Sequence, residues 1–214
     1  MEDTFPKSIF EFLDSEHFRK RPAMYLGEKS ISKLRTYMNG YQICETFNGI
    51  KSIDTKPPFW LFFPWICKYY SHSGSYYSWD GIILQNCNNN EEEALDTFFQ
   101  RLDEFRKIRP EKLMFARIGK SEIDFFNTHN GIRWTMTEGK QIRIGPADII
   151  YIVKYNNRLG CSIHHRKGQN GINSDHFSSL NKTILDSERE YGKTLKGEEI
   201  PKEEIENIYK QIIL

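Results

Sequence analysis

Six histidines and four cysteines are the residues of this sequence best suited to chemistry, and the densest grouping among them is Cys161, His164, His165 and His176. Side chains alternate between the faces of a strand, so Cys161 and His165 would share one face while His164 points to the other. A zinc site normally takes a pair of ligands from each of two places at short, defined spacing. The grouping lacks that pattern, and neither a metal nor any other cofactor is expected. Cys161 could be written as a nucleophile with a histidine base, and Glu138 or Asp148 as an acid. No nucleophile elbow, HExxH helix or phosphate loop supports such an arrangement. In Thr128-His129-Asn130-Gly131 the spacing predicts a polar turn that presents His129 to solvent. An enzyme would centre on His129, His164 and Cys161; the expectation is that there is none.

Charge narrows the choice further. The 214 residues hold 30 Lys and Arg against 29 Asp and Glu, a formal charge of +1, which is not the large basic excess that phosphate neutralisation demands. Locally the balance breaks. Residues 101–120 carry seven basic and three acidic residues, whereas residues 186–206 carry eight acidic (Asp186, Glu188, Glu190, Glu198, Glu199, Glu203, Glu204 and Glu206) against four basic. Phe105 belongs to a helix core by its spacing, so the basic window lacks the aromatic interleaving that stacks bases, and direct nucleic-acid binding is not expected. Clustered carboxylates, in contrast, attract a cationic partner and mimic the phosphates a nuclease expects. A second candidate surface is the run Tyr69, Tyr70, Tyr76, Tyr77 and Trp79.

These residues need a scaffold, and the pattern predicts an α+β fold in one domain: a helical part over 8–108 packed against a sheet part over 113–165, with C-terminal helices over 175–214. An amphipathic helix from Ser8 to Lys20 ends at Pro22. A second begins at the cap Ser30 and puts Ile31, Leu34, Met38, Tyr41 and Cys44 on one stripe. Pro57-Pro58 open a buried helix through Tyr70, interrupted at Pro64, and Trp79–Gln85 reads as a short strand. Asn90 and three glutamates cap a helix whose Ala94, Leu95, Phe98, Phe99, Leu102 and Phe105 form its apolar face. After Pro110 come short β-leaning runs, 113–118, 132–136, 141–144, 149–155 and 160–164, with Asn156-Asn157 as a hairpin turn. A polar loop over 166–174, a helix over 175–190 and a last helix with Ile205, Ile208 and Ile212 on one side complete the chain. The cysteines, without a CxxC pair, read as buried free thiols of a reducing compartment. An acidic N-terminal stretch and the absence of an apolar run near the roughly 20 residues that span a bilayer predict a cytoplasmic protein with no membrane contact.

Arg19-Lys-Arg-Pro-Ala-Met-Tyr-Leu-Gly27 resembles the RKRPGMYIG segment of the ATPase subunits of type II DNA topoisomerases over nine residues. The nucleotide site of that family needs E-x-x-x-N and D-x-G-x-G. Here Glu45 and Asn48 stand one residue too close, and Asp80-Gly81 continues as IILQ, so ATP hydrolysis is rejected. The bland role of the segment is structural: Pro22 breaks a helix, Met24, Tyr25 and Leu26 anchor the turn in the core, and Gly27 takes a positive φ. Arg19, Lys20 and Arg21 form a solvated face.

RPxMYLG, a helix starting I-x-x-L that ends in Gly40-Tyr41, and EEEALDTFFQRLDEF together resemble, over about residues 8–108, small bacterial cytosolic immunity proteins that neutralise polymorphic and contact-dependent growth inhibition toxins. That resemblance implies a non-catalytic protein that binds a cognate toxin domain, with no catalytic residue carried over. A basic nuclease domain fits the acidic C-terminal third. The expected contact residues are Asp186, Glu188, Glu190, Glu198, Glu199 and Glu203, with Tyr76 and Tyr77.

Overall fold

The computed structural model describes residues 8–49, 55–73, 77–129, 133–137, 140–156, 159–168, 170–192 and 197–213, with backbone alone for 133–137, 140–144 and 170. The chain divides into two compact units, Met1–Ile108 and Arg109–Leu214, a boundary that coincides with the change of sequence character at Pro110. The fold is α+β: helices build the first unit, and an antiparallel sheet with flanking helices builds the second.

In the first unit the helix expected over 8–20 is two helices, α1 (Ile9–Asp14) and α2 (Glu16–Lys20). Ser15 is extended and its Oγ accepts from the Phe18 amide, so it caps α2 instead of continuing α1. Pro22 does more than end α2, since it opens α3 (Pro22–Leu26) from the first-turn position where its missing N–H costs nothing. Gly27 closes α3 at φ 82°. Leu26 is buried and the partly exposed Tyr25 ring packs on Phe12 and Phe18, but Met24 is exposed and does not anchor the turn. α4 (Ile31–Phe47) starts at Ser30 as expected. Its buried stripe is Ile31, Leu34, Met38 and Glu45; Tyr41 is half-buried and Cys44 is exposed. The thiols therefore differ, with only Cys87 and Cys161 buried.

A 3₁₀ turn, Phe59–Leu61, leads into α5 (Phe62–Tyr69). The expected strand at 79–85 is instead α6 (Trp79–Asn86), because Trp79, Ile82 and Ile83 at helical spacing bury together. A short apolar run fits either period, and tertiary packing decides. α7 (Glu91–Phe105) is capped by Asn90 Oδ1, and all six residues of its expected apolar face are buried. Its first carboxylate also caps a neighbour: Glu91 accepts from Ser30 Oγ at 2.8 Å, Ser32 Oγ at 2.7 Å and the Ser32 amide at 3.1 Å, which joins α7 to the start of α4. Desolvation would raise the Glu91 carboxyl, but these hydrogen bonds outweigh it and hold its pKa below the usual value.

The second unit runs β1 (Pro110–Arg117), α8 (Lys120–His129), β2 (Arg133–Thr137), β3 (Lys140–Ile144), β4 (Ile149–Tyr155), β5 (Cys161–Lys167), β6 (Asn170–Phe177), α9 (Leu180–Tyr191), β7 (Glu198–Glu199) and α10 (Lys202–Ile212). Five strands form one antiparallel sheet in the order β6-β5-β4-β1-β7, and β2-β3 pair separately. The polar stretch expected as a loop over 166–174 is the end of β5 and most of β6, and α9 begins only at Leu180. α8 had no counterpart in the sequence pattern. Asn157 lies outside the described residues. One sheet face, with Ile150, Ile152 and Ile163, packs under Phe126 of α8 and Tyr191 of α9. On the other face Tyr155 meets Tyr209 of α10, and β1 lies against α10.

In the first unit, Phe62 is fully buried and its ring meets those of Phe59, Trp65, Trp79, Phe98 and Phe105 at 5.2–5.9 Å. Phe62→Ala should destabilise the unit by about 3–5 kcal/mol, read as a lower urea midpoint by circular dichroism; a loss below about 1 kcal/mol would show that these rings do not form its core.

Candidate functional site

β5 is the strand on which the candidate chemistry sits, and Cys161 to His165 are all buried. The register pairs Tyr151 with His164, Val153 with Ser162 and Ile150 with His165. Cys161 and His165 therefore lie on the face of Ile163, and His164 on the other, as strand alternation requires.

On the α10 face, the Tyr209 hydroxyl donates to Tyr155 Oη at 3.2 Å, and Tyr155 Oη lies 3.0 Å from Ser162 Oγ. Ser162 Oγ is 2.8 Å from His164 Nε2, while His164 Nδ1 is 2.9 Å from Ser174 Oγ. One consistent direction runs through this chain: Ser162 donates to Nε2, and the Nδ1–H of a neutral imidazole donates to Ser174. Desolvation, with smaller contributions from His165 and Arg166, pushes His164 down to about 3, so the ring is uncharged at neutral pH. Burial likewise raises Tyr155 to about 12, against the opposing hydrogen bonds of Ser162 and Tyr209. A serine beside a histidine is the pairing of a nucleophile and its base. Here both are buried, and an imidazole with so low a pKa is a poor proton acceptor. The chain of hydroxyls ties α10 to β4, β5 and β6.

On the other face, His165 Nδ1 is 3.4 Å from Tyr191 Oη, and its Nε2 is 3.7 Å from Glu190 Oε2, both residues of α9. Tyr191 Oη also accepts from the Ala147 amide at 3.3 Å. Glu190, expected on a docking surface, is buried against His165 instead, because it and Tyr191 fall on the inner side of α9.

The three residues of a possible enzyme do not converge. Cys161 and His164 occupy opposite faces of the sheet, and His129 is exposed at the end of α8, stacked on Phe125 at 4.1 Å with Nδ1 2.8 Å from Thr128 Oγ1. His176 contacts the Leu159 carbonyl. Asp148 is exposed and accepts from the Gly168 amide; Glu138, Asn130 and Gly131 lie outside the described residues. Among the described residues no three His, Cys, Asp or Glu side chains gather as metal ligands do.

Five of the basic groups in these segments are engaged. Arg19 grips Asp103 with two nitrogens, at 2.7 and 2.8 Å, and lies over Phe99; Lys20 pairs with Glu16. Arg101 lies over Tyr69 at 4.4 Å and bonds Glu104, Arg106 pairs with Asp14, and Lys112 pairs with Glu199 at 2.7 Å.

The acidic residues fall into groups that the sheet separates. Asp186 and Glu188 are half-buried on α9, over one face, whereas Glu203, Glu204 and Glu206 are exposed on α10, over the other. Glu198 and Glu199 are exposed on β7 at the sheet edge, where they pair with Phe115 and Met114. The exposed carboxylates of this region are thus those of β7 and the first turns of α10, with Glu198 on the sheet face that α10 covers and Glu199, paired with Met114, on the other. Tyr77 is exposed with its ring edge-on to His72, and Tyr76 lies outside the described residues. One feature missed by the sequence reading is the exposed apolar side of α4, with Tyr37, Ile43 and Phe47; its signal was apolar residues on both sides of the helix around Gly40.

Comparison of the chain with protein-family models, curated proteins and solved structures finds no significant match. No helix among the described residues is long and apolar enough to cross a membrane.

The buried imidazole gives a measurable pH dependence. Its folded pKa lies below its unfolded value near 6.5, so the stability it contributes is present above that value and is lost as pH falls toward 3. Between these limits stability should fall by up to about 1.4 kcal/mol per pH unit on account of this group. His164→Gln, which keeps a donor and an acceptor, should unfold with a shallower dependence over the same range; urea midpoints of both proteins that run parallel from pH 7 to pH 4 would refute the assignment.

Proposed function

We propose that this chain is a non-catalytic binding protein that holds and neutralises a cognate toxin domain, using the acidic edge formed by β7 and α10. The observation that carries the reading is the set of five exposed carboxylates on those two elements, Glu198, Glu199, Glu203, Glu204 and Glu206. Lys112 takes up Glu199 and Lys210 lies 3.5 Å from Glu206, while Glu198, Glu203 and Glu204 make no ion pair among the described residues. Charges of one sign held close together raise the encounter rate with a basic domain and disfavour acidic ones. A nuclease domain, whose own site is built for phosphates, is the partner whose chemistry fits best. The engagement of the histidines and Cys161 within the sheet supports a role in binding over one in turnover, and the resemblance of residues 8–108 to immunity proteins supports the class of partner.

Co-expression with the product of the neighbouring gene, as the candidate toxin domain, is the direct test. The chain should restore growth and co-purify with that domain. Replacing Glu198, Glu203 and Glu204 together by glutamine should slow association by about tenfold at low salt, with a smaller effect at high salt. Absence of both rescue and complex would overturn the proposal; a complex whose association rate ignores the triple substitution would overturn the acidic edge as its contact.

A further inference from the structure

α4 is apolar on two opposite sides. Ile31, Leu34 and Met38 face the core of the first unit, whereas Tyr37, Gly40, Ile43, Cys44 and Phe47 are exposed. Lys33 and Thr36 begin the outer side, but from Tyr37 to Phe47 its large exposed side chains are apolar, and the first unit covers only the opposite side. Gly40 sharpens the point. Mid-helix glycine is destabilising by roughly 0.5–1 kcal/mol relative to alanine, yet a Cβ at Gly40 would meet nothing within 4 Å and its φ is ordinary. Among the described residues nothing calls for glycine there; a close approach from outside would.

The order of the residues selects the occupant. Tyr37 and Phe47 are each five residues from Gln42, and Gly40 and Cys44 are each two residues from it. Along the row Tyr37, Gly40, Cys44 and Phe47, with Ile43 beside it, the order is large, small, small, large in both directions, which suits an antiparallel pairing of the helix with its own copy: Tyr37 meets Phe47, and Gly40 meets Cys44. A two-fold axis also brings like charges together. Between Thr36 and Gly49 the one charged residue is Glu45, which faces the core. The patch extends past α4, because Tyr37 stacks on Phe12 at 5.6 Å and Phe12 meets Tyr25 edge-on at 5.0 Å, next to Met24. Phe47 is 86% exposed, Met24 71%, Ile43 56%, Tyr25 43% and Tyr37 38%. Taking about 200 Å² per side chain, they offer about 600 Å², most of the roughly 800 Å² that each partner buries in a stable interface.

We infer that this chain forms a two-fold symmetric dimer through the outer face of α4, with Gly40 of one copy against Cys44 of the other. The proposal is independent of any toxin partner. Light scattering on the eluting full chain should give twice the 25.4 kDa chain mass. Phe47→Glu, at an exposed site, should give the single-chain mass with an unchanged helical spectrum. For the register, a Gly40→Cys, Cys44→Ser chain is mixed with the unsubstituted chain and oxidised by copper-phenanthroline and dioxygen. A disulfide should link the two chains, since it forms only where the Cα atoms approach within about 7 Å. A single-chain mass at every concentration up to about 100 µM, or a dimer indifferent to Phe47→Glu, would overturn the proposal. An unsubstituted chain of single-chain mass whose toxin binding is abolished by Phe47→Glu would likewise overturn it and assign the face to that partner.

Discussion

Burial of β5 on both faces is the constraint on which the second unit depends. Five consecutive residues, Cys161 to His165, are out of contact with solvent, and three of them carry a hydroxyl or an imidazole. Each such group must find its partner inside the protein, because a buried donor or acceptor left unmade costs more than a made one contributes. The solution differs on the two sides. Toward α10 the groups are neutral and form a directional series from Tyr209 to Ser174. Toward α9, His165 Nε2 faces the Glu190 carboxylate at 3.7 Å, an electrostatic approach longer than a hydrogen bond, with the Tyr191 hydroxyl at the other ring nitrogen. The two helices are thereby fixed to opposite faces, and that placement divides the acidic residues of the C-terminal third.

The first unit obeys a different rule. Its interior is assembled from rings, with Phe62 at the centre, and polar groups enter chiefly at helix ends. Glu91 is the main exception in reach. Standing in the first turn of α7, where the helix dipole favours an anion, it also accepts hydrogen bonds from the first residues of α4. One carboxylate therefore serves two helix starts and fixes the relation between them.

What could be read from the sequence follows from how local each cause is. Ser30 before α4 and Asn90 before α7 act within three residues of themselves, and the six-residue apolar face of α7 repeats at helical spacing; both were legible. The strand over 149–155 was legible to the residue, since its composition is β-branched and aromatic. The helical state of Trp79–Asn86 was not, because seven mainly apolar residues satisfy either period until Phe59, Phe62 and Phe98 surround the indole. Ser15 fits a helix interior by the apolar spacing, although a serine three residues before Phe18 is also a cap. For the candidate site, alternation correctly separated His164 from Cys161. The burial of Glu190 lay beyond any local rule, since a glutamate in an acidic run looks solvated until the strand opposite it places an imidazole there.

The acidic edge itself rests on the buried chain behind it. Tyr209 holds the inner side of α10 to Tyr155, and Arg166 Nη1 donates to the Gln211 and Ile212 carbonyls at 2.9 and 2.8 Å, where the helix would otherwise end in unpaired acceptors. At the other end, the Ile200 amide donates to the Leu113 carbonyl and seats β7 on the sheet. Glu203, Glu204 and Glu206 are thus carried on a helix fixed along its length, and Glu198 and Glu199 on a strand fixed by its neighbour. Backbone order is set before any partner arrives, so the entropy lost on contact is confined to side chains, of the order of 0.5–1.5 kcal/mol for each one immobilised. A His164 whose neutrality keeps the series intact therefore contributes to the surface of α10 without touching solvent, by holding in place the helix that presents it.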